Sequence, residues 1–344
     1  MSHRTASKSV LARSTLVRLS AECILCLTLV AAADSPPSKI DLAALKSPVL
    51  FRGDERTAYR DPAAVYHDGV VHLYFTYVKT EPDGLWMFTA ASESRDLVHW
   101  TAPRILTPRD QKLNFSSPGN VVRFGNEWIM CLQTYPRPNG EKYGNQTARL
   151  WTMRSKDLVK WSEPQLLRVK GSDVSIEQMG RMIDPFLMQD KDDAGKWWCL
   201  FKQNGVSFAW SRDLKNWTFA GSARAGENVC VIVDREADEY VMFHSPANGV
   251  GVKRSRDLKR WQDVGLFTLG QRDWPWAREG RLTAGFVLDL KQEQRVGKYL
   301  IFFHASEKSE KITFDTFCHL GIAWSDDLTN WDWPGKTGTR TETR

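Results

Sequence analysis

The chain has 344 residues, of which 42% are hydrophobic and 26% are charged, and its formal net charge is +6 at pH 7. Because no run or stripe of Lys and Arg is present, neither nucleic acid nor an anionic membrane surface is expected as a partner. A neutral, polar small molecule or polymer fits this charge balance better.

The first 33 residues have the pattern of a secretory signal peptide. Four basic residues precede the apolar run at 24–30, and Ala31–Ala33 supplies an A-x-A cleavage site. The run is shorter than the roughly 18 apolar residues that span a membrane, and no later segment approaches that length. We therefore expect residues 1–33 to be removed, residues 34–48 to form a linker, and the mature chain, with a net charge of +3, to be secreted or periplasmic.

The remaining 311 residues contain a repeat that predicts the fold. The pattern Ser-x-Asp-Leu-x-x-Trp occurs five times, at Ser94–Trp100, Ser155–Trp161, Ser211–Trp217, Ser255–Trp261 and Ser325–Trp331. Successive tryptophans are 61, 56, 44 and 70 residues apart, which is compatible with four-stranded propeller blades with unequal loops. No segment has sustained helical periodicity. Residues 49–344 are therefore predicted to form an all-β, five-bladed β-propeller.

The repeated motif itself predicts a structural turn between the third and fourth strands of each blade. Asp and Ser bond to nearby backbone in turns, whereas Leu and Trp pack between sheets. In blade one the four strands are expected at 63–67, 71–77, 85–91 and from residue 100. The other loops, which join second to third strands and one blade to the next, lie on the opposite face. Functional groups are expected on that opposite face.

Three acidic residues are predicted to meet on the propeller axis. The first strand of each blade is innermost, and alignment of these strands by their apolar runs superposes Asp61, Ser117, Asp184, Glu227 and Thr283. Carboxyl groups crowded in one concavity raise the pKa of at least one of them, so a protonated acid can stand beside an ionised carboxylate. Glycosidic cleavage needs such a pair, because one group protonates the leaving oxygen while the other activates water or attacks carbon.

These residues resemble the five-bladed propeller glycoside hydrolases, and family 43 in particular, whose architecture is shared with families 32, 68 and 117. The resemblance covers essentially the whole mature chain. It implies that Asp61 is the general base, that Asp184 tunes and orients the acid, and that Glu227 is the general acid of an inverting hydrolase acting on plant or algal type saccharides. It implies no required cofactor, and it leaves room for a structural calcium ion on the axis.

A second residue competes with Glu227 as the general acid. Members of family 43 usually follow the acid with Gly-Pro, whereas Glu227 is followed by Asn228-Val229. Glu279 is followed by glycine and looks closer to that string, but it lies four residues before the axial position of blade five. Since register places an atom in the pocket, Glu227 is the preferred acid and Glu279 is expected to bind substrate.

Three other functions remain open. Fructosidases of families 32 and 68 act with retention, but they open with an Asn-Asp-Pro-like motif and end in Glu-Cys, where this chain has Arg60-Asp61-Pro62 and no Glu-Cys. A propeller phosphorylase would need a basic phosphate cluster, for which Arg272, Arg278 and Arg281 are candidates. A non-catalytic carbohydrate-binding propeller would keep the fold without the chemistry, and the three acids argue against it.

The loops of the same face supply candidates for substrate binding. Arg60 precedes the predicted base, while His244 and His304 end the second strands of blades four and five. The connection between those blades carries Trp274 and Trp276, whose indoles either stack on the C–H face of a sugar or pack the loop. The resemblance implies that a blade-five histidine holds water or calcium on the axis, and His304 is the better match.

Overall fold

The computed structural model describes residues 39–278, 280–307 and 314–336. The predicted signal peptide, the first residues of the predicted linker and Glu279 lie outside this part of the chain. The described residues form five antiparallel sheets, one after another along the sequence. In each sheet, strands that are consecutive in the chain lie side by side. The prediction of an all-β, five-bladed propeller is confirmed.

Each of the first four blades is a sheet of four strands that run in chain order from the innermost strand outward. Blade one contains β2 (Thr57–His67), β3 (Val70–Glu81), β4 (Gly84–Ser94) and β5 (Arg104–Ile105). Blade two contains β6 (Phe115–Phe124), β7 (Glu127–Thr134), β8 (Leu150–Ser155) and β9 (Gln165–Leu166). Blade three contains β10 (Ile183–Gln189), β11 (Trp197–Lys202), β12 (Val206–Ser211) and β13 (Trp217–Ala223). Blade four contains β14 (Glu227–Asp234), β15 (Glu239–Ser245), β16 (Val250–Ser255) and β17 (Gln262–Phe267).

Blade five is completed from both ends of the chain. It contains β18 (Arg281–Leu290), β19 (Lys298–Ser306) and β20 (His319–Ser325), and both β1 (Val49–Phe51) and β21 (Trp331–Asp332) pair with β20. The early strand β1 therefore closes the ring onto the last blade. Ile40 and Leu45, in the predicted linker, are buried in the main hydrophobic core, so this part of the linker packs on the propeller.

Helix is confined to two short pieces of the described chain, a 3-10 turn at Leu42–Ala44 and α1 (Ile176–Met179) in the connection between blades two and three. No helix of the described residues is long and apolar enough to cross a membrane. The main core lies between the blades and includes Tyr74, Phe243, Phe302 and Trp331, all fully buried.

The five repeated motifs form one turn, as predicted. In the first copy, the Ser94 hydroxyl accepts the Leu97 N–H at 2.8 Å, while one Asp96 carboxylate oxygen accepts the N–H groups of Val98 and His99. The aspartates of the other four copies accept the same two backbone groups. The leucine of every copy has a left-handed backbone, with φ between 56° and 67°. The pattern therefore serves the turn and not the chemistry.

Candidate active site

A β-bulge in the innermost strand of each blade directs one side chain toward the axis. The register of the strand pairs shifts at this point in all five blades. The bulge residue has a left-handed backbone, with φ between 41° and 51°, at Asp61, Ser117, Asp184, Asn228 and Ala284. Asp and Asn tolerate this conformation better than most residues. Bulges of this kind re-aim side chains and are common beside active sites.

The bulges correct the predicted register of blades four and five by one residue. The axial residues of these blades are Asn228 and Ala284, not Glu227 and Thr283. Apolar runs alone align the strands after the bulge, and they do not reveal where the extra residue is inserted. Only two of the three predicted acids therefore occupy the equivalent axial position.

Glu227 nevertheless lies at the site, one step before the bulge. It pairs with Ser245, as Arg60 pairs with Thr76 in blade one, and its side chain is exposed. Val229 then occupies the place that Pro62 takes in blade one.

Asp61 is held on several sides. Its Oδ2 accepts the Thr76 hydroxyl at 2.9 Å, its Oδ1 accepts the Asn228 amide at 3.3 Å, and the Arg60 Nε lies 3.7 Å from Oδ2. Only 8% of the side chain is exposed. These contacts fix the carboxylate without occupying all of its lone pairs, which suits a group that accepts a proton from water.

Asp184 is the most strongly perturbed acid of the site. Its Oδ1 accepts the Ser117 hydroxyl at 3.0 Å, and its Oδ2 accepts the Asn228 N–H at 3.3 Å. Burial raises the pKa of Asp184 to about 7, and the charges of Glu227 and Asp61 add to this effect. The three predicted acids are thus close enough to interact electrostatically, and this interaction favours the protonated form of Asp184.

Asn228 links the two axial carboxylates. Its Nδ2 donates to Asp61 Oδ1 and to Asp184 Oδ1, each at 3.3 Å. Thr76 makes a second link, because its Oγ1 accepts the Ser117 N–H at 2.7 Å while donating to Asp61. Sequence reasoning missed Asn228 and Thr76, although a polar residue between Glu227 and an apolar strand was a signal for the first.

Two buried histidines position the acids through their backbone. The Nδ1 of His304 accepts the Asp61 N–H, and the Nδ1 of His244 accepts the Gly226 N–H, each at 3.0 Å. Burial lowers the pKa of both histidines to about 4. Each is therefore a neutral acceptor at neutral pH. His304 contacts the backbone of the predicted base, and its predicted role of holding water or calcium on the axis stays a prediction.

Arg60 belongs to a charged group at the edge of the site. Its guanidinium lies 3.3 Å from Asp315, which also accepts a hydrogen bond from Arg137 at 2.9 Å. The charges of Asp61 and Asp315 raise the pKa of Arg60, against the effect of its burial. The predicted contact between Arg60 and substrate remains a prediction.

The predicted tryptophan wall is partly buried. Trp274 is 6% exposed and stacks on Phe303 at 5.7 Å and on Trp276 at 5.0 Å, so its place in the fold favours loop packing. Trp276 keeps a half-buried ring. Of the candidate phosphate cluster, Arg281 lies over the Phe314 ring at 5.2 Å, and Arg272 and Arg278 are exposed. Glu279 lies outside the described residues.

A small cavity of about 20 Å³ follows the axis beneath the acids, lined by Pro62, Pro118, Pro185, Val229 and Gly285 among others. It has room for a water molecule. Calcium takes six to eight oxygen ligands, and in the part of the chain that the structure describes no three His, Cys, Asp or Glu side chains are grouped to hold a metal ion. The axial calcium stays a prediction.

Comparison with solved structures shows the same fold in several carbohydrate-active enzymes. The chain is 16% identical to an exo-1,5-α-L-arabinanase from a bovine ruminal metagenomic library, with a TM-score of 0.53, covering 80% of this chain and 95% of that one. It is 14% identical to a family 117 glycoside hydrolase of the marine bacterium Zobellia galactanivorans, with a TM-score of 0.56 over 80% and 86%. It is 12% identical to an α-L-arabinofuranosidase from Podospora anserina, with a TM-score of 0.57 over 80% and 93%.

Two sequence comparisons complete the assignment. No curated protein sequence matches the chain. The model of the glycosyl hydrolases family 32 N-terminal domain matches residues 59–234, which is just over half of the chain and contains Asp61, Asp184 and Glu227. The fold, the clustered acids and this match together identify the chain as a propeller glycoside hydrolase that belongs to the family of the glycosyl hydrolase family 32 N-terminal domain.

Proposed function

We propose that the protein hydrolyses a glycosidic bond of a plant or algal type oligosaccharide or polysaccharide with inversion at the anomeric carbon. Asp61 is the general base, Glu227 is the general acid, and Asp184 sets the charge of the site. The observation that carries the proposal is that these three carboxyl groups lie close enough to interact electrostatically. This interaction, together with burial, raises the pKa of Asp184. Structural roles rarely require three carboxyl groups in one concavity.

Each group is suited to its step. Asp61 is fixed by Thr76 and Asn228, and it can take a proton from the water that attacks the anomeric carbon. Glu227 is exposed on the rim, where a leaving oxygen can receive its proton. Asp184 touches Asn228 and Ser117 but lies deeper, so it acts on charge and position and not as a proton donor to the sugar.

A second candidate is a retaining fructosidase, which the match to the family 32 domain favours. In such an enzyme the second carboxylate attacks carbon and forms a glycosyl-enzyme intermediate. Asp61 would then be the nucleophile, and Glu227 would act first as acid and then as base. The two mechanisms use the same residues and differ in the configuration of the first product.

The test is a panel of aryl arabinofuranosides, xylosides, galactosides and fructosides, followed by proton NMR of the first anomer released. Inversion on any glycoside supports the proposal. Retention on fructosides supports the second candidate. Binding without turnover on the whole panel would favour a non-catalytic carbohydrate-binding propeller and would overturn both hydrolytic schemes.

The acid is identified by its dependence on the leaving group. Glu227→Gln removes leaving-group protonation, so substrates with poor leaving groups should lose far more rate than aryl glycosides whose phenolate departs unaided. Glu279→Gln is the matched control and should affect both substrate classes alike. If the dependence appears only in Glu279→Gln, the general acid comes from the connection before β18 and the assignment of Glu227 is wrong.

A further inference from the structure

The rim of the site is high on one side and low on the other. In blade one, β3 and β4 stay paired from Thr76, at the level of Asp61, to the pair Glu81–Gly84. At about 3.3 Å per residue this hairpin rises roughly 16 Å above the acids. On the same face, residues 135–149 connect β7 to β8 of blade two, and residues 307 and 314–318 are the described part of the connection from β19 to β20 of blade five.

Blades three and four end at the level of the acids. Their second strands stop at Lys202 and Ser245, which pair with Ile183 and Glu227 directly before the bulges. The turns that follow are short, at residues 203–205 and 246–249, and residues 224–226 suffice to join the two blades. Between their second and third strands, blades three and four therefore rise least above the acids, on the side of Glu227.

The high side is a packed wall. Ala58, Val78 and Met87 of blade one form a small buried cluster with Cys318 of blade five. Tyr135, from the blade-two connection, and Phe314 pack against the same cluster. Three blades thus contribute to one hydrophobic core above the acids, which holds the wall in place as a main core would.

Asp315 joins the three blades by charge. Its carboxylate lies 3.3 Å from Arg60 of blade one and 2.9 Å from Arg137 of the blade-two connection, while Asp315 itself belongs to the blade-five connection. The three side chains are only 11% to 19% exposed, so water screens the bridge little. The Phe317 N–H also donates to the Asp54 carbonyl at 2.9 Å, which fixes the same segment to blade one.

The direction of the substrate follows from this asymmetry. The anomeric carbon must lie between the base and the acid, with the leaving oxygen toward the acid. Asp61 is at the foot of the wall and Glu227 is on the open side, so the sugar whose bond is cut faces the wall while the leaving chain passes over blades three and four. The wall leaves no space for a further sugar on the glycone, so the glycone must be the terminal sugar of the chain.

We propose that the enzyme is exo-acting on non-reducing ends, and that the bridge of Arg60, Asp315 and Arg137 closes the glycone pocket. The inference rests on the proposed hydrolytic function. Asp315 does not touch the reacting atoms in this scheme. It is a positioning residue that fixes the end of the pocket and the guanidinium beside Asp61.

The experiment uses arabino-, xylo-, galacto- and fructo-oligosaccharides in two forms, one labelled at the reducing end and one blocked at the non-reducing end. The wild-type protein should shorten the labelled form by one sugar at a time and leave the blocked form intact. Early release of longer oligosaccharides would overturn exo action while the hydrolase assignment stands. Cleavage of no oligosaccharide or aryl glycoside would overturn the hydrolase assignment and this inference with it.

The role of the bridge is tested by Asp315→Asn, with Asp326→Asn as the matched control. Asp326 also bridges two cations, Lys291 and Lys298, but on the opposite face of the propeller. Asp315→Asn should raise KM for the labelled oligosaccharide roughly 10- to 100-fold, with a smaller change in kcat, since a misplaced pocket wall weakens positioning. Asp326→Asn should leave both constants unchanged.

An unchanged KM in a folded Asp315→Asn protein would overturn the role of the bridge. If Asp315→Asn fails to fold, as judged by its thermal melting curve, Arg137→Gln removes one arm of the bridge and leaves Asp315 paired with Arg60. That variant should raise KM in the same sense. A normal KM for Arg137→Gln would overturn the proposed closure.

Discussion

Replacement of Asp184 by Asn should remove a loss of stability that the wild-type protein suffers as pH rises toward neutrality, and should make the protein much less active. The pKa of the Asp184 carboxyl is about 7 in the folded protein against 3.8 for a free group. Between these values the unfolded chain gives up the proton and the folded protein keeps it. The wild-type protein therefore loses stability as pH rises from about 4 to 7, and below pH 4 this loss disappears.

The magnitude follows from the same two values. A tenfold change in proton affinity is worth ~1.4 kcal/mol, so the ionised unfolded form is favoured by roughly 4 kcal/mol at pH 7. Asn resembles the protonated acid and does not titrate. From pH 4 to pH 7, the unfolding free energy of the variant should therefore rise by roughly 4 kcal/mol relative to that of the wild type. This change corresponds to about 10 °C in melting temperature.

The assay is a pair of thermal melting series from pH 4 to pH 8, with variant and wild type in the same buffers. Titrations of groups that Asp184 does not influence cancel in the difference. A difference that stays flat with pH would refute the idea that Asp184 is a buried acid with a raised pKa. Asn228→Ala is a useful companion, because it removes amide donors from Asp61 and Asp184 and leaves both carboxyl groups in place.

The remaining predictions concern the base and the histidines. Asp61→Asn keeps the shape of the side chain and removes the proton acceptor, so kcat should fall roughly 10²- to 10⁴-fold with melting little changed; a near-normal rate would make Asp61 a turn residue only. His304→Ala removes the acceptor of the Asp61 N–H and should lower kcat at least tenfold. His319→Ala is its control, because the Nδ1 of His319 accepts the Gly53 N–H at 2.9 Å away from the acids. Equal kcat in the two histidine variants would contradict the positioning role of His304. Since the pKa of each histidine is lowered to about 4 by burial, the pH profile of kcat between pH 5 and 8 should come from carboxyl groups.

The fold could be predicted because its signal is repeated and local. Each Ser-x-Asp-Leu-x-x-Trp motif makes its hydrogen bonds within a few residues, so the pattern survives however the rest of the blade varies. The predicted second strand of blade one stopped at residue 77, but β3 continues to Glu81. Beyond that point the strand is stabilised by partners in other blades, such as Cys318 against Val78, which a local pattern does not contain.

The site could be predicted only up to the bulge. Asp61 and Asp184 are followed by proline and lie where the sequence placed them, whereas Asn228 took the position expected for Glu227. The extra residue of a bulge leaves the alternation of apolar and polar residues in the rest of the strand unchanged. An alignment of apolar runs therefore does not detect it. The contacts of Arg60 with Asp315 and of Thr76 with Ser117 join residues far apart in the chain, and no spacing rule predicts them.

The cost of Asp184 also bears on the choice between an enzyme and a binding module. A penalty of roughly 4 kcal/mol at neutral pH is a large part of the 5–15 kcal/mol that usually separates folded from unfolded protein. Ser117 occupies the equivalent position in blade two without a charge, so the bulge accepts a neutral residue. A propeller that only bound sugar would avoid this pH-dependent cost with an uncharged residue at position 184. In the proposed mechanism that change removes a charge beside both Glu227, the proposed acid, and Asp61, the proposed base. The presence of a costly carboxyl group at this position therefore favours catalysis over binding alone.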